Sequence, residues 1–489
     1  MCFLLLLATA GVAAGQTRDE NWNKCKADDP DTSIVGCTAL IQSGTESIAD
    51  QASAYYNRGI AYHDKKNLDA AMRDLNQALS LKADFPSALN SRANVYSDLK
   101  QYDRAIADYN EALRLDPTHK LAYYNRGNAW ADKEEYEKAI QDYDKYLQLD
   151  PSDPDGFNNR GHAYMMKGDL DQAEENFNGA LKLDAHHPNG LLNLGIVYNR
   201  RHLYDQGIAQ FGKYIAIKPN DSEGYGARGD AYRHKMQYEQ AIADYSKGIE
   251  LNAQYALAYY NRGVCYSRAG QYGNAIDDFG RYIELDPKDV DGYMSRGQAN
   301  LGKGDYEGAS ADFLKMNEIQ PNNQLSFFNR GCVNLIAGKA REAIADFQLS
   351  IAVDPAASNA VYATLWMHIA KKRLGEDDAD AMTKEADKAN LDRWPGPALK
   401  MFLGKMTSDE VLAAAADANP ETQVSQKCEG NFYSGEDALM RQRRAEAAEF
   451  FRAARDVCPR DYVEYAGSVL ELKKLSAAPA AKPKLSGKN

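Results

Sequence analysis

Small and apolar residues recur along most of this chain at a fixed interval of 34. Gly59, Ala93, Gly127, Gly161, Gly195, Gly229, Gly263, Gly297 and Gly331 each follow the one before by 34 residues. With Gly59 counted as position 8, the units begin at Ala52, Pro86, Lys120, Pro154, Pro188, Ser222, Ala256, Val290 and Gln324. Position 20 is Ala in eight of the nine units, with Gly207 in the fifth. Position 11 is mostly aromatic, as at Tyr62, Trp130 and Tyr266, and position 24 is Leu75 in the first unit and Tyr or Phe in the rest. Within each unit the apolar positions fall three and four apart, which predicts two amphipathic helices. Pro at position 32, as at Pro117, Pro151, Pro219, Pro287, Pro321 and Pro355, ends the second helix because it lacks an N–H and clashes with the preceding turn.

One such helix pair cannot bury its apolar face alone, so units of this period must stack on their neighbours. The small–large–small pattern over residues 52–357 resembles the tetratricopeptide repeat. That resemblance implies an all-α, right-handed superhelical solenoid of stacked antiparallel helix pairs. Its first helices line a concave face, and proteins of this kind bind other proteins there.

Two further periodicities sit inside the frame. Position 7 is Arg in eight units: Arg58, Arg92, Arg126, Arg160, Arg228, Arg262, Arg296 and Arg330. Position 23 is Asp in seven of those (Asp74, Asp108, Asp142, Asp244, Asp278, Asp312 and Asp346), Arg160 faces Asn176, and the unit with Leu194 has Gln210. A row of arginines also suits an anion, but residues that come and go together predict ion pairs joining the two helices of a unit. Position 27 is Tyr146, Tyr214 and Tyr282 in every second unit, each followed ten residues later by Gly156, Gly224 or Gly292. Large against small is how packed layers interdigitate, so these pairs predict contacts between one unit and the next, and growth by a 68-residue two-unit block.

The ends depart from the repeat. Cys2 to Ala14 is an apolar run ending in small residues, so residues 1–15 read as a cleaved export signal whose charged start is missing. Residues 16–51 form a shortened capping unit. Run backwards, the frame places Cys25 and Cys37 at positions 8 and 20, where close packing predicts a disulfide in an exported chain. Residues 358–427 read as a degenerate helical pair broken by Trp394-Pro395-Gly396-Pro397, and residues 428–475 as a further unit two residues out of phase. Cys428 and Cys458 fall near the same end of its two helices, where a second disulfide is expected. Residues 476–489 read as a disordered basic tail.

The stretch from about 390 to 475 resembles the NlpI-type periplasmic repeat proteins. The residues carrying the likeness are Trp394-Pro395, Phe402-Leu403-Gly404, Asn431-Phe432-Tyr433, Gly435, Phe450-Phe451-Arg452-Ala453-Ala454, Val463-Glu464-Tyr465 and Glu471-Leu472. The resemblance implies an envelope adaptor that docks peptidoglycan hydrolases and a protease. This chain departs from the family in lacking the lipoprotein cysteine and in carrying a much longer array.

Charge and chemistry narrow the function. A net charge of −12 argues against a nucleic-acid surface, which needs a basic stripe. There is no phosphate loop, no His-Glu-x-x-His and no Cys-x-x-Cys, so neither a metal nor a cofactor is expected. His186-His187 reads as surface turn, Cys265 as core, and Cys332 as a thiol near the groove without a histidine to activate it. Asp409, Glu410, Glu436 and Asp437 are the residues available for a carboxylate pair, but their pattern places them facing solvent.

In arrays of the resembling kind, positions 2, 5, 9, 12 and 13 face the concave side. Here these give Asp64, Asp98, Asp132 and Asp155 interleaved with Tyr56, Asn90, Asn94, Tyr124, Asn128 and Asn158. Further along come Arg200, Arg233, His234 and Arg268 beside Tyr260, diluted by Glu223 and Asp230, and then Met294, Leu301, Leu325, Phe328, Leu335 and Ile336. The expected partner is an extended protein segment with a basic part, an acidic part and an apolar anchor; the alternative is a concave face charged only for solubility. The function expected is a non-enzymatic periplasmic scaffold. The alternatives are an assembly factor for a secretion or exopolysaccharide system, and an envelope-glycan-processing enzyme.

Overall fold

The computed structural model describes residues 17–477 apart from 356, 377 and 388–390. The expected export signal lies outside the described residues, as does the expected tail from residue 478 onward. Among the described residues there are 27 helices and no strand. The chain folds as two compact units, one ending at Pro219 and the other beginning at Asn220.

The N-terminal unit starts with a capping pair, α1 (Arg18–Cys25) and α2 (Pro30–Ser43). Five pairs follow: α3 (Ile48–Asp64) with α4 (Leu68–Leu81), α5 (Pro86–Asp98) with α6 (Tyr102–Leu115), α7 (Lys120–Asp132) with α8 (Tyr136–Leu149), α9 (Pro154–Lys167) with α10 (Leu170–Leu183), and α11 (Pro188–Arg200) with α12 (Tyr204–Ile217). The C-terminal unit continues with α13 (Ser222–His234) and α14 (Tyr238–Leu251), α15 (Ala256–Arg268) and α16 (Tyr272–Leu285), α17 (Val290–Lys303) and α18 (Tyr306–Ile319), and α19 (Gln324–Ile336) and α20 (Ala340–Val353). It ends with α21 (Ser358–Arg373), α22 (Ala379–Ala386), α23 (Gly396–Phe402), α24 (Ser408–Ala414), α25 (Pro420–Met440), α26 (Arg444–Val457) and α27 (Val463–Ser476).

The sequence dictates the pair geometry. The small residue at position 8 makes room for the ring at position 24: a Cβ on Gly127 would lie 2.8 Å from the Tyr143 ring, one on Gly195 2.5 Å from Phe211, and one on Gly331 2.6 Å from Phe347. The turn inside each pair is set at position 15, where Lys66, Lys100, Glu134, Gly168, His202, Met236, Gly270, Gly304 and Gly338 all adopt a left-handed backbone. Only four of these nine are glycine, so five turns carry the steric cost of a Cβ in that conformation. The expected Tyr–Gly contacts form within each compact unit: Gly156 abuts the Tyr146 ring and Gly292 the Tyr282 ring. Each of these tyrosines also donates its hydroxyl to the N-cap aspartate of the next pair, Asp153 or Asp289.

The position-7 arginines pair as expected and also reach further. Arg92 holds Asp108 through Nε at 2.7 Å and Nη2 at 2.8 Å, while its Nη1 donates to Asn76 Oδ1 in the preceding pair at 2.8 Å. Arg126 does the same with Asp142 and Asn110, and Arg262 with Asp278 and Ser246. Arg160, whose own unit offers only Asn176, finds its carboxylate in the preceding pair, at Asp144 (2.6 Å). Each of these guanidinium groups therefore ties three helices, two of its own unit and one of the unit before.

Both ends are pinned by disulfides, Cys25–Cys37 and Cys428–Cys458. In the C-terminal pair α25–α26, Gly435 faces the Phe451 ring and Gln442 takes the left-handed turn, so this pair repeats the array's geometry. Helix α25 begins at Pro420, ahead of Cys428 where the frame had begun the unit. Helix α27 then packs against α17 and α19, the first helices of the eighth and ninth repeats. A single core joins these helices around the stacked rings of Trp366 and Phe432.

Candidate partner-binding surface

In the N-terminal unit the first helices bring several predicted groove residues together. Asn94, Asp98, Asn128 and Asp132, with His63, Ser97 and Asn125, line one open cavity of about 310 Å³ over α3, α5 and α7. Asp98 is bound by His63 Nε2 at 3.0 Å and by Lys66 Nζ at 3.4 Å. Among the described residues no ion-pair partner lies within 4.0 Å of Asp132, and burial raises its carboxyl above the usual range. Asp64 lies at the mouth of another cavity, beside Cys25 and Asn57. Asp155 pairs with His187 Nε2 at 3.0 Å, and Arg200 donates to the Met165 carbonyl at 3.2 Å.

The asparagines are engaged with one another and with tyrosines. Asn94 accepts the Tyr109 hydroxyl at 2.6 Å and Asn128 accepts that of Tyr143 at 2.7 Å. Asn90 and Asn158 are buried, and each accepts from an asparagine one unit later, Asn125 at 3.1 Å and Asn193 at 3.0 Å. Asn159 donates to Tyr124 and to Asn128. The Asn at position 6 (Asn125, Asn159 and Asn193) is thus a clip between successive first helices, a role the sequence reading did not give it. Tyr56 stacks on Phe85, and Tyr124 on Tyr146.

In the C-terminal unit Asp230 takes the place of Asn94 and Asn128. It accepts Tyr245 at 2.6 Å and Asn261 at 3.0 Å, and burial raises its carboxyl. Arg233 lies 3.9 Å from Asp230 and within hydrogen-bond reach of His234. Tyr260 packs on Phe279 and Tyr282. Arg268 faces Asp461 of the C-terminal block at 3.6 Å. Met294, Leu325 and Phe328 retain exposure, but Leu301, Leu335 and Ile336 do not. Those three are buried in the core that α27 completes, so the expected apolar anchor is largely filled by the chain itself.

Other expectations are corrected here. Glu436 and Asp437 are buried rather than solvent-facing; Glu436 pairs with Arg373 at 2.8 Å and Asp437 with Arg441 and Arg443. The pattern misled because Glu436 shares Arg373 with Glu471 of α27, while Asp437 lies beside Met401 of α23 and Phe450 of α26. His187 is buried, caps α11 by accepting from the Gly190 N–H, and is no surface turn. Cys332 is fully buried, which pushes its thiol well above the ordinary range and removes it from any groove. Among the described residues no cluster of three or more His, Cys, Asp or Glu could hold a metal, and no helix is long and apolar enough to cross a membrane.

Stacked helix pairs, with a polar face built from their first helices, define a helical-repeat solenoid. Family models of the tetratricopeptide repeat match residues 52–85, 90–154, 142–175 and 256–289, and a TPR repeat model matches 229–270. Those stretches of the chain are tetratricopeptide repeats. Among solved structures it is similar to MamA, at 31% identity over 33% of this chain and 94% of that one, with a TM-score of 0.32. It is also similar to YrrB, titled a TPR protein with an unusual peptide-binding site (23% identity, 38% and 95% coverage, TM-score 0.33). A third similar structure is PilF of Pseudomonas aeruginosa (20% identity, 42% and 94% coverage, TM-score 0.38). No curated protein matches the chain.

Proposed function

We propose that the protein is a non-catalytic scaffold outside the cytoplasm that holds extended segments of partner proteins on its first-helix face. The observation that carries this reading is the cavity over α3, α5 and α7, where Asn94, Asp98, Asn128 and Asp132 converge with a carboxylate left without an ion-pair partner. Amides can hydrogen-bond an extended backbone whatever its sequence, and the acids favour a basic segment. The two disulfides support an oxidising compartment. From the likeness of residues 390–475 to envelope adaptors we propose a peptidoglycan hydrolase or a protease as the partner. Crosslinking in intact cells, with identification of the captured proteins, tests this: capture of secretion or exopolysaccharide components instead would favour the assembly-factor alternative. Replacing Asp98 and Asp132 together by Lys should weaken capture at low salt more than at high salt, because steering charges are screened. A bound partner indifferent to both replacements would sink the groove assignment. Release of fragments from purified peptidoglycan would sink the non-catalytic reading.

A further inference from the structure

A second cavity, of about 260 Å³, lies where α27 meets the repeats. Two of its acids, Glu429 on α25 and Glu464 in the first turn of α27, are over nine-tenths buried. They differ in their partners. Glu429 accepts the Tyr362 hydroxyl at 2.8 Å and the Trp394 indole N–H at 2.6 Å. Among the described residues no well-formed hydrogen bond reaches the Glu464 carboxylate; its own backbone N–H and the Trp366 indole N–H lie near enough to favour its charged form, and the indole itself is left without a partner. Behind the pair the Tyr433 hydroxyl is also buried without a partner. Burial and the neighbouring Glu429 raise the Glu464 carboxyl further than that of Glu429, which its two donors restrain.

The groups facing this pair come from every element around it. Gln298 stands on α17, Asn329 on α19, Tyr362 on α21 and Asp461 just before α27, and none of the residues lining the cavity is Lys, Arg or His. Arg268 is engaged by Asp461 at 3.6 Å. The aromatic walls are Phe328, Tyr362 and Tyr462. A buried carboxylate paired with no cation and held by no well-formed hydrogen bond, beside a second acid and aromatic faces, is the complement of an organic cation.

We propose that this cavity binds one cationic side chain, lysyl or arginyl, of a polypeptide partner, with its charged head on Glu464. The proposal rests on reading the protein as a polypeptide binder; the cavity lies wholly in the C-terminal unit, whereas the acidic cavity over α3, α5 and α7 belongs to the N-terminal unit. The test is calorimetric titration of the full chain with N-acetyl-lysine methylamide, N-acetyl-arginine methylamide and N-acetyl-norleucine methylamide. At least one cationic probe should bind about tenfold or more tighter than the norleucine isostere, a gap expected of a desolvated charge contact. Which of the two binds better separates an ammonium from a guanidinium ligand. Binding should release a proton, seen as a dependence of the heat on the buffer, and should tighten as pH rises toward the point where Glu464 is ionised. Glu464→Gln should abolish the preference and the proton release. Should that variant not fold, the proton release of the unaltered chain still decides. Equal binding of all three probes, or cation binding without proton release, overturns the proposal. So does binding of putrescine with neither cationic amino acid, which would make the ligand a free amine. None of these outcomes bears on the acidic cavity of the N-terminal unit, which is tested by the Asp98 and Asp132 replacements.

Discussion

Replacing Arg126 by Leu is the sharpest test of how the repeats hold together. Arg126 is about one-fifth exposed and Asp142 far less; the guanidinium binds both carboxylate oxygens, at 2.7 and 2.5 Å, and Asn110 of the preceding pair at 2.6 Å. Removing one partner of a buried pair costs about 3–5 kcal/mol, because the other charge stays buried alone. The lost bond to Asn110 adds about 1 kcal/mol. Replacing both Arg126 and Asp142 by Leu removes the stranded charge, so most of the loss should return, leaving a deficit of about 1 kcal/mol from Asn110. Burial already holds the Asp142 carboxyl above its usual range in the presence of Arg126, and it should rise further without it. A carboxyl raised in the folded state contributes most below its unfolded value, about 3.9, and loses that contribution as pH rises through the folded value. The defect of Arg126→Leu should therefore shrink on acidification. A repeat array need not unfold in one step, so the assay is amide hydrogen exchange of the peptides covering α7 and α8. The reasoning fails if those peptides are equally protected in the single variant, or if the double variant is no better than the single one.

Three further outcomes are expected. Glu134→Gly should stabilise the turn between α7 and α8 by about 1 kcal/mol, while Gly168→Glu should destabilise its own turn by a similar amount, both read from exchange, because each holds a left-handed backbone. Cys25→Ser with Cys37→Ser should cost about 2–4 kcal/mol, with faster exchange in α1 and α2 and none of it in α25 and α26; both thiols found alkylated in the unreduced protein would refute the bridge. The carboxyls of Glu429, Glu436 and Glu464 are all raised by burial. Helices α25–α27 should therefore be more protected at about pH 5 than at about pH 8, and Glu464→Gln should flatten that slope.

What the sequence conveyed depended on whether a signal repeats. Every first and second helix of the nine repeats follows from positions 8, 20, 24 and 32, because each is read nine times. The Arg–Asp pairs were legible for the same reason. Their third arm to Asn76, Asn110 or Ser246 was not, since position 25 varies freely. One covariation went unread: position 9 is Asn or Asp only where position 24 is Tyr, as in Asn94 with Tyr109, Asn128 with Tyr143 and Asp230 with Tyr245. It gives those asparagines a packing role before any binding role. Position 11 departs from aromatic at Asn300 and Asn334 for a similar reason, since each donates to the position-23 aspartate of its own unit. The C-terminal block occurs once, so nothing in the pattern announced that α27 would cover α17 and α19. The apolar groove residues were misjudged because they depend on that contact, and Glu436 because it shares Arg373 with Glu471 of α27.

The same contact limits how such a chain can lengthen. The first pair is closed by its own disulfide, and the last two repeats are committed to α27, so new units have a place only in the interior. Even there the increment matters. Tyr146 needs Gly156, and Tyr282 needs Gly292, whereas the two repeats before Tyr146 carry Ala78 and Ala112 at position 27, followed by Ala88 and Ala122 at position 3. Where the tyrosines alternate, inserting a lone 34-residue unit can bring a tyrosine ring against a residue with a Cβ, or leave a gap where the ring had been. Inserting 68 residues keeps ring and hollow in step. Length in the stretch where the tyrosines alternate is thus quantised in double repeats, and a relative longer or shorter there by a single repeat should also have changed the residues at positions 27 and 3.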